Sequence, residues 1–171
     1  TFRVPPEVAD HVGGGMRERG GALRRDWEAL FARYAAAYPE QAEQLNHMQR
    51  RTLPQDWDDD IPSFPIDPKG VAGRDANSKV LNAVAARVPW LVGGSADLAP
   101  SNKSRMTFDG AGDFSAVDRA GRNLHFGVRE HAAAAVANGL ALSKLRAYQA
   151  GFLIFSDFQR GALRLSALME L

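Results

Sequence analysis

A carboxylate at a strand-to-helix corner is the first place in this sequence where residue type and spacing could do chemistry. Leu124-His125-Phe126-Gly127-Val128-Arg129-Glu130-His131 reads as a short strand, a glycine turn and a helix start. The helix expected over residues 129–143 is apolar on nearly every side, through Ala133, Val136, Ala137, Leu140 and Ala141, so the pattern predicts that it is buried. Glu130 falls in its first turn. Free backbone N–H groups and the helix dipole favour a negative charge there, while burial favours the neutral acid. A carboxyl group held between those tendencies can trade a proton or a strong hydrogen bond with a ligand. Capping the helix, or pairing with Arg129, is the competing role for the same residue.

Two further sets of residues are candidates. Gly93-Gly94-Ser95-Ala96-Asp97-Leu98-Ala99-Pro100-Ser101-Asn102 reads as a small-residue loop leaving a strand, and offers Asp97 and Ser101. Phe152, Phe155 and Phe158 stand at helical spacing. Such rings either fill a core or form a flat slot for a heterocycle. Other chemistries lack their signatures. There is no G-x-x-x-x-G-K-[ST] phosphate loop, no G-x-G-x-x-G after a strand and no G-x-S-x-G elbow. His11, His47, His125 and His131 show no zinc spacing.

The elements that must position these residues follow from periodicity. Residues 1–70 read as a helical connector and linker. Gly13-Gly14-Gly15 and Gly20-Gly21 are expected breaks. Residues 22–38 form an amphipathic helix with Leu23, Trp27, Leu30, Phe31, Tyr34 and Tyr38 on one face, a packing surface. Pro39 starts a second helix to about residue 51, with Ala42, Leu45 and Met48 inward. Residues 53–65 are rich in proline and acid. They lack the alternating ligands of a calcium loop and read as a solvated linker. From residue 71 the pattern is helix (74–86), strand (90–92), exposed glycine-containing excursion (103–122), strand, helix, strand (147–152) and helix (155–171). That is the rhythm of a partial parallel sheet with crossover helices, an α/β fold. Ligands of such sheets sit at the carboxyl ends of the strands, where Asp97, Ser101, Glu130 and the three phenylalanines all fall.

Composition excludes several classes. The formal net charge is +1, which gives no reason to expect nucleic acid or an anionic membrane as partner. Cysteine is absent from the 171 residues, so no disulfide or thiolate metal site is expected, in keeping with a reducing, cytoplasmic setting. No apolar run approaches the roughly 20 residues of a membrane span. Both ends read as cut, and the chain is expected to be a fragment of a longer polypeptide.

Taken together, Gly93-Gly94-Ser95-Ala96-Asp97-Leu98-Ala99-Pro100-Ser101-Asn102, Phe126-Gly127-Val128-Arg129-Glu130-His131, Phe152-Leu153-x-Phe155-x-x-Phe158 and Ala162-Leu163-Arg164-Leu165-Ser166-Ala167-Leu168 resemble transketolase. The Val4-Pro5 entry and the helix from Trp27 to Pro39 resemble the connector ahead of that family's pyrimidine-binding domain, so the resemblance spans nearly the whole chain. It implies a thiamine diphosphate-binding fold, with 1–70 as connector and 71–171 as the first half of the pyrimidine-binding domain. It implies transfer of a two-carbon ketol unit between sugar phosphates, with thiamine diphosphate and a divalent metal (Mg2+ or Ca2+), in a homodimer. Glu130 matches the glutamate that hydrogen-bonds the aminopyrimidine ring. Phe152, Phe155 and Phe158 match the aromatic pocket, and Asp97 an aspartate near the cofactor. Arg74 and Ser101 match residues holding the sugar's phosphate, for which a guanidinium and a hydroxyl are suitable donors. The family's Gly-Asp-Gly metal motif is not in this chain, so metal ligands are expected upstream and the chain alone is expected to be inactive. Arg74 is followed by Asp75, an acid where the family carries another residue type, and residues 143–148 are shorter than usual. A related thiamine diphosphate enzyme, of the dihydroxyacetone synthase or deoxyxylulose phosphate synthase type, and a non-catalytic module keeping the fold are the alternatives.

Overall fold

Two prolines set where the first helix begins. Pro5 is extended (φ −58°, ψ 139°) and α1 runs Pro6–Ala37, its first position taken by a residue whose missing N–H costs nothing there. The computed structural model describes residues 2–171. They form two units, one up to Asn46 and one from His47 to Leu171.

In the first unit α1 passes unbroken through the glycines at 13–15 and 20–21, where breaks were expected. Glycine costs a helix about 1 kcal/mol of backbone entropy but removes none of its hydrogen bonds. Met16, Arg17, Glu18 and Arg19 between the two glycine groups are good helix formers. The aromatic stripe is present but open. Trp27 stacks on Phe31, with centroids 5.2 Å apart, and Tyr34 lies 5.2 Å from Tyr38. Leu23, Trp27, Leu30 and Tyr38 are exposed, so the rings cover one another rather than a core. The second helix, α2 (Pro39–Arg50), buries Ala42 but leaves Leu45 exposed.

The second unit carries α3 (Gly73–Arg87), β1 (Leu91–Ser95), α4 (Ala99–Asn102), β2 (Asn123–His125), α5 (Glu130–Leu142), β3 (Arg146–Ala150), a 3₁₀ turn over Leu153–Gln159 and α6 (Arg160–Leu168). The strands are parallel in the order β2-β1-β3. Gly93 and Gly94, read as loop, belong to β1. A Cβ on Gly94 would meet the Leu124 carbonyl of β2, and one on Gly93 the Tyr148 carbonyl of β3.

The excursion between α4 and β2 was expected to be exposed. Instead Ser104, Met106 and Ala111 are buried, and Met106 and Ala111 join Ala85 in the core with Leu81, Leu91, Phe108 and Tyr148 packed around them. Side-chain amides stand in for ladder hydrogen bonds. Asn123 Nδ2 donates to the carbonyls of Met106 (2.9 Å) and Gly112 (2.8 Å), and its Oδ1 accepts from Met106 N–H (2.9 Å). Asn82 Oδ1 on α3 accepts from Thr107 N–H (2.6 Å). The Arg122 guanidinium donates to the carbonyls of Ala85, Val88 and Leu91 at 2.8–3.0 Å and lies over the Phe108 ring.

The acidic linker is also engaged. Asp56 and Asp60 both grip Arg87 of α3, so two of its four aspartates strap it to the α/β unit instead of facing solvent alone. The burial expected of α5 is one-sided. Ala133 and Ala134 are buried, while Val136 and Leu142 are exposed, because a three-stranded sheet covers one face of a helix.

In the intact protein Gly94→Ala should destabilise by about 2 kcal/mol or more in urea unfolding, because backbone must move. Gly139→Ala on α5, where a Cβ meets open space, should stabilise by up to about 1 kcal/mol. Burial pushes the Tyr148 hydroxyl up to about 12, against the opposing pull of Arg122, and its Oη donates to the Ser104 carbonyl at 2.7 Å. The folded state therefore keeps that proton after an unfolded tyrosine has lost it. Stability should fall between about pH 10 and 12, and Tyr148→Phe should remove that part of the fall in alkaline unfolding curves.

Candidate functional site

The carboxyl end of β1 is shaped by a buried serine. Ser95 Oγ accepts from the N–H of Leu98 (3.1 Å) and closes a turn in which Asp97 takes a left-handed conformation, φ +62°. Such a backbone costs of order 1 kcal/mol in a non-glycine residue and needs the surroundings to hold it. One turn on, α4 ends in Lys103, also left-handed at φ +53°. Asn102 Oδ1 accepts from the hydroxyl of Ser104 (2.6 Å) and fixes the chain as it leaves.

These turns wall a cavity of about 520 Å³ whose lining includes Gly94, Ser95, Asp97, Lys103, Arg105 and His125. The volume suits a small organic molecule. Three of its lining side chains, Lys103, Arg105 and His125, have carboxylate partners just outside it. Asp113 lies between His125 (Nε2 to Oδ1, 3.1 Å) and Arg105 (Nη2 to Oδ2, 2.7 Å). His125 first, and then Arg105, hold its carboxyl below the usual carboxylate range. Lys103 pairs with Asp75 of α3 and lowers that carboxyl likewise.

Arg74 and Ser101 are brought together, with Arg74 Nη1 donating to the Ser101 carbonyl at 3.3 Å, and both side chains are exposed. Asp97 is exposed on the cavity wall. Gly127 closes the far end of that wall at φ +64°, which a side chain would strain. Three residues later Glu130 opens α5, half-buried and outside the cavity lining. The Arg129 guanidinium turns back to the Phe126 carbonyl (3.0 Å). Among the described residues no side chain pairs with the Glu130 carboxylate.

Beyond β3, Phe152 stands at the entry to the 3₁₀ turn, and that turn carries Phe155 and Phe158. Phe155 is half-buried, whereas Phe152 is 37 % and Phe158 66 % exposed. The turn packs against α5. No ring stack among the described residues joins these three phenylalanines to one another.

Sequence reasoning missed Lys103, Arg105 and Asp113, because it read residues 103–122 as solvent-exposed, and it weighed His125, placed in a strand, only as a zinc ligand. The available signal was the alternation that buries Asn102, Ser104 and Met106, the period of an extended segment, hidden because two of the three are polar. Among the described residues no cluster of His, Asp and Glu is placed to hold a metal ion, and no helix is long and apolar enough to cross a membrane.

A parallel β2-β1-β3 sheet with crossover helices, and with its candidate residues at the strands' carboxyl ends, defines a ligand-binding α/β domain. Residues 69–171 match the family described as transketolase, pyrimidine binding domain. The chain belongs to the transketolase family. It is 47 % identical to a transketolase of Bacillus subtilis over 99 % of its length and 42 % identical to the chloroplastic transketolase-1 of Arabidopsis thaliana, also over 99 %. Among solved structures it superposes on a Pichia stipitis transketolase complexed with sedoheptulose-7-phosphate, with TM-score 0.85 and 36 % identity over 98 % of this chain. A Leishmania mexicana transketolase gives the same TM-score at 34 % identity over 98 %. The chain spans about a quarter of the length of these proteins: 25 % and 23 % of the two relatives, 25 % and 24 % of the two structures.

The Asp113 cluster gives a pH signature. A carboxyl lowered by folding adds stability above its unfolded value of about 3.9, and loses it as pH falls through the lower folded value. Carbon-detected NMR titration of the intact protein should place the Asp113 midpoint below that unfolded value; a midpoint above it would contradict the pairing.

Proposed function

We propose that this chain supplies the connector (1–70) and the first half of the pyrimidine-binding domain (71–171) of a transketolase. The whole protein would transfer a two-carbon ketol unit between sugar phosphates, as a cytoplasmic homodimer using thiamine diphosphate. The observation that carries the reading is Glu130: a half-buried acid at a helix start, without a side-chain partner among the described residues. It lies in the 126–131 stretch that resembles the family, in a chain 47 % identical to a named transketolase.

The residues present fit one end of the cofactor. Glu130 offers a carboxyl to a ring nitrogen, and the exposed rings of Phe152 and Phe158 offer apolar surface that a flat heterocycle would cover. When bound, thiamine diphosphate supplies the carbanion chemistry. The chain's own residues do the positioning. Glu130 shares a proton with the ring nitrogen through a carboxyl oxygen, an exchange that a water-poor site strengthens. Phe152, Phe155 and Phe158 flank the ring and exclude water. Asp97, held by its left-handed turn, presents a carboxylate on the wall of the adjoining cavity. Arg74 and Ser101, already joined through the Ser101 carbonyl, offer guanidinium and hydroxyl donors to the substrate's phosphate. The described residues do not fit a metal, so Mg2+ or Ca2+ would be bound by parts of the protein outside this chain.

The decisive experiment replaces Glu130 in the full-length protein. Glu130→Gln and Glu130→Ala should each lower kcat by about 10²–10⁴-fold with circular dichroism unchanged. Activity within a few-fold of the parent would overturn the assignment.

A further inference from the structure

Arg74 is followed directly by Asp75, which puts an acid beside a guanidinium proposed to capture an anion. Left alone, that acid would compete with the anion for Arg74 and repel it. The structure shows where the acid goes. Asp75 pairs with Nζ of Lys103, which reaches α3 from the end of α4. Lys103 takes the left-handed conformation at that point, φ +53°. It stands two residues after Ser101, whose carbonyl accepts from Arg74. Two straps thus join the start of α3 to α4: Arg74 to the Ser101 backbone, and Lys103 to Asp75.

Three cations face the Asp75 carboxylate: Lys103 foremost, then Arg74 and, one turn along α3, Lys79. Lys79 is drawn aside, with its Nζ 5.8 Å from the centre of the Phe64 ring. Lys103 also stands on the shared wall of two spaces, the 520 Å³ cavity and an open groove of about 480 Å³ lined by Gly70, Asp75, Ser78 and Lys79 among others. If Lys103 were removed, Arg74, adjacent in sequence, and Lys79, four residues on, would be the cations left to answer Asp75. The formal charge of the corner would also fall by one.

We propose that Lys103 is a positioning residue for phosphate capture: by engaging Asp75 it leaves the Arg74 guanidinium and the Ser101 hydroxyl open to the phosphate of an incoming sugar phosphate. The inference rests on the reading of Arg74 and Ser101 as the phosphate-holding pair. The acid at residue 75 and the cation at residue 103 are the pair it turns on.

The test uses the full-length enzyme, ribose 5-phosphate against unphosphorylated ribose as acceptor, and inorganic phosphate as competitive inhibitor. Lys103→Met should raise KM for the phosphorylated acceptor and Ki for phosphate by about fivefold, the scale of a lost exposed charge pair. It should leave kcat within twofold and KM for ribose unchanged. Lys103→Met combined with Asp75→Asn should return KM and Ki to near the parent values, because the competing acid is gone. Asp75→Asn alone should lower Ki for phosphate, and it reads the same balance should Lys103→Met fold poorly. An unchanged KM in Lys103→Met overturns the proposal. So does an increase that Asp75→Asn fails to relieve, an equal loss with both acceptors, or a raised Ki in Asp75→Asn alone. Arg74→Ala separates the two levels. If it leaves KM for ribose 5-phosphate unchanged, the phosphate assignment itself falls. If it raises that KM while Lys103→Met does not, only the role of Lys103 falls.

Discussion

The sheet closes because β1 carries no side chain at Gly93 or Gly94. At both positions an added Cβ would meet the backbone of a neighbouring strand, β3 at Gly93 and β2 at Gly94. Strands lie about 4.8 Å apart, so no adjustment of a flexible side chain could relieve such a contact. Everything at the carboxyl edge starts from this approach. Asp97 leaves β1, Gly127 and Glu130 leave β2, and Phe152 leaves β3. The candidate residues that leave β2 and β3 each begin one strand spacing from β1, on either side of it, because the central strand is bare.

The same closeness governs how the core is filled. Its buried hydrophobics are mostly small: Ala85, Ala96, Ala111, Ala133, Ala134 and Ala162, with Val88, Trp90 and Met106 as the larger members of the α/β unit. Small side chains allow close approach but bury little area, so polar groups take over part of the work of specifying the fold. Arg122 is the clearest case. Burial pushes its guanidinium below the usual arginine value, yet no carboxylate among the described residues answers it. Three carbonyls from the end of α3 to the start of β1 do, where the negative end of the helix dipole adds to the attraction. Asn123 does for the excursion what Arg122 does for α3, satisfying donors and acceptors that an irregular segment would otherwise bury unpaired.

This division explains what was legible in the sequence. The α/β rhythm from residue 71 was readable because apolar runs at Leu91 and Leu124, and the alanine-rich helix at Glu130, carry the periods that burial imposes. The strand order β2-β1-β3 was not, because the pattern of apolar runs carries no information on which strands are neighbours. The excursion was not readable, since its anchors are Asn82, Asn123 and Arg122, polar residues that a hydropathy pattern assigns to solvent. The grip of Asp56 and Asp60 on Arg87 was hidden for a similar reason: opposite charges about thirty positions apart leave no periodic trace. In the site, Asp97 and Glu130 stood out through their local motifs. Lys103, Arg105 and His125 did not, because their role depends on acids that only folding brings near. The continuity of α1 was missed because five glycines weigh against a helix by propensity, while tolerance of each one depends on its neighbours.

The Glu130 corner shows how such local facts bear on chemistry. An acid in the first turn of a helix ordinarily finds a neighbouring cation, and Arg129 is adjacent in sequence. Here the Gly127 turn directs the Arg129 guanidinium backward to the Phe126 carbonyl. Glu130 is therefore left with backbone N–H groups and the dipole of α5, an attraction worth roughly 0.3–1 kcal/mol. A ligand donor need displace no salt bridge to reach it. The turn that positions the acid is also what keeps it unpaired.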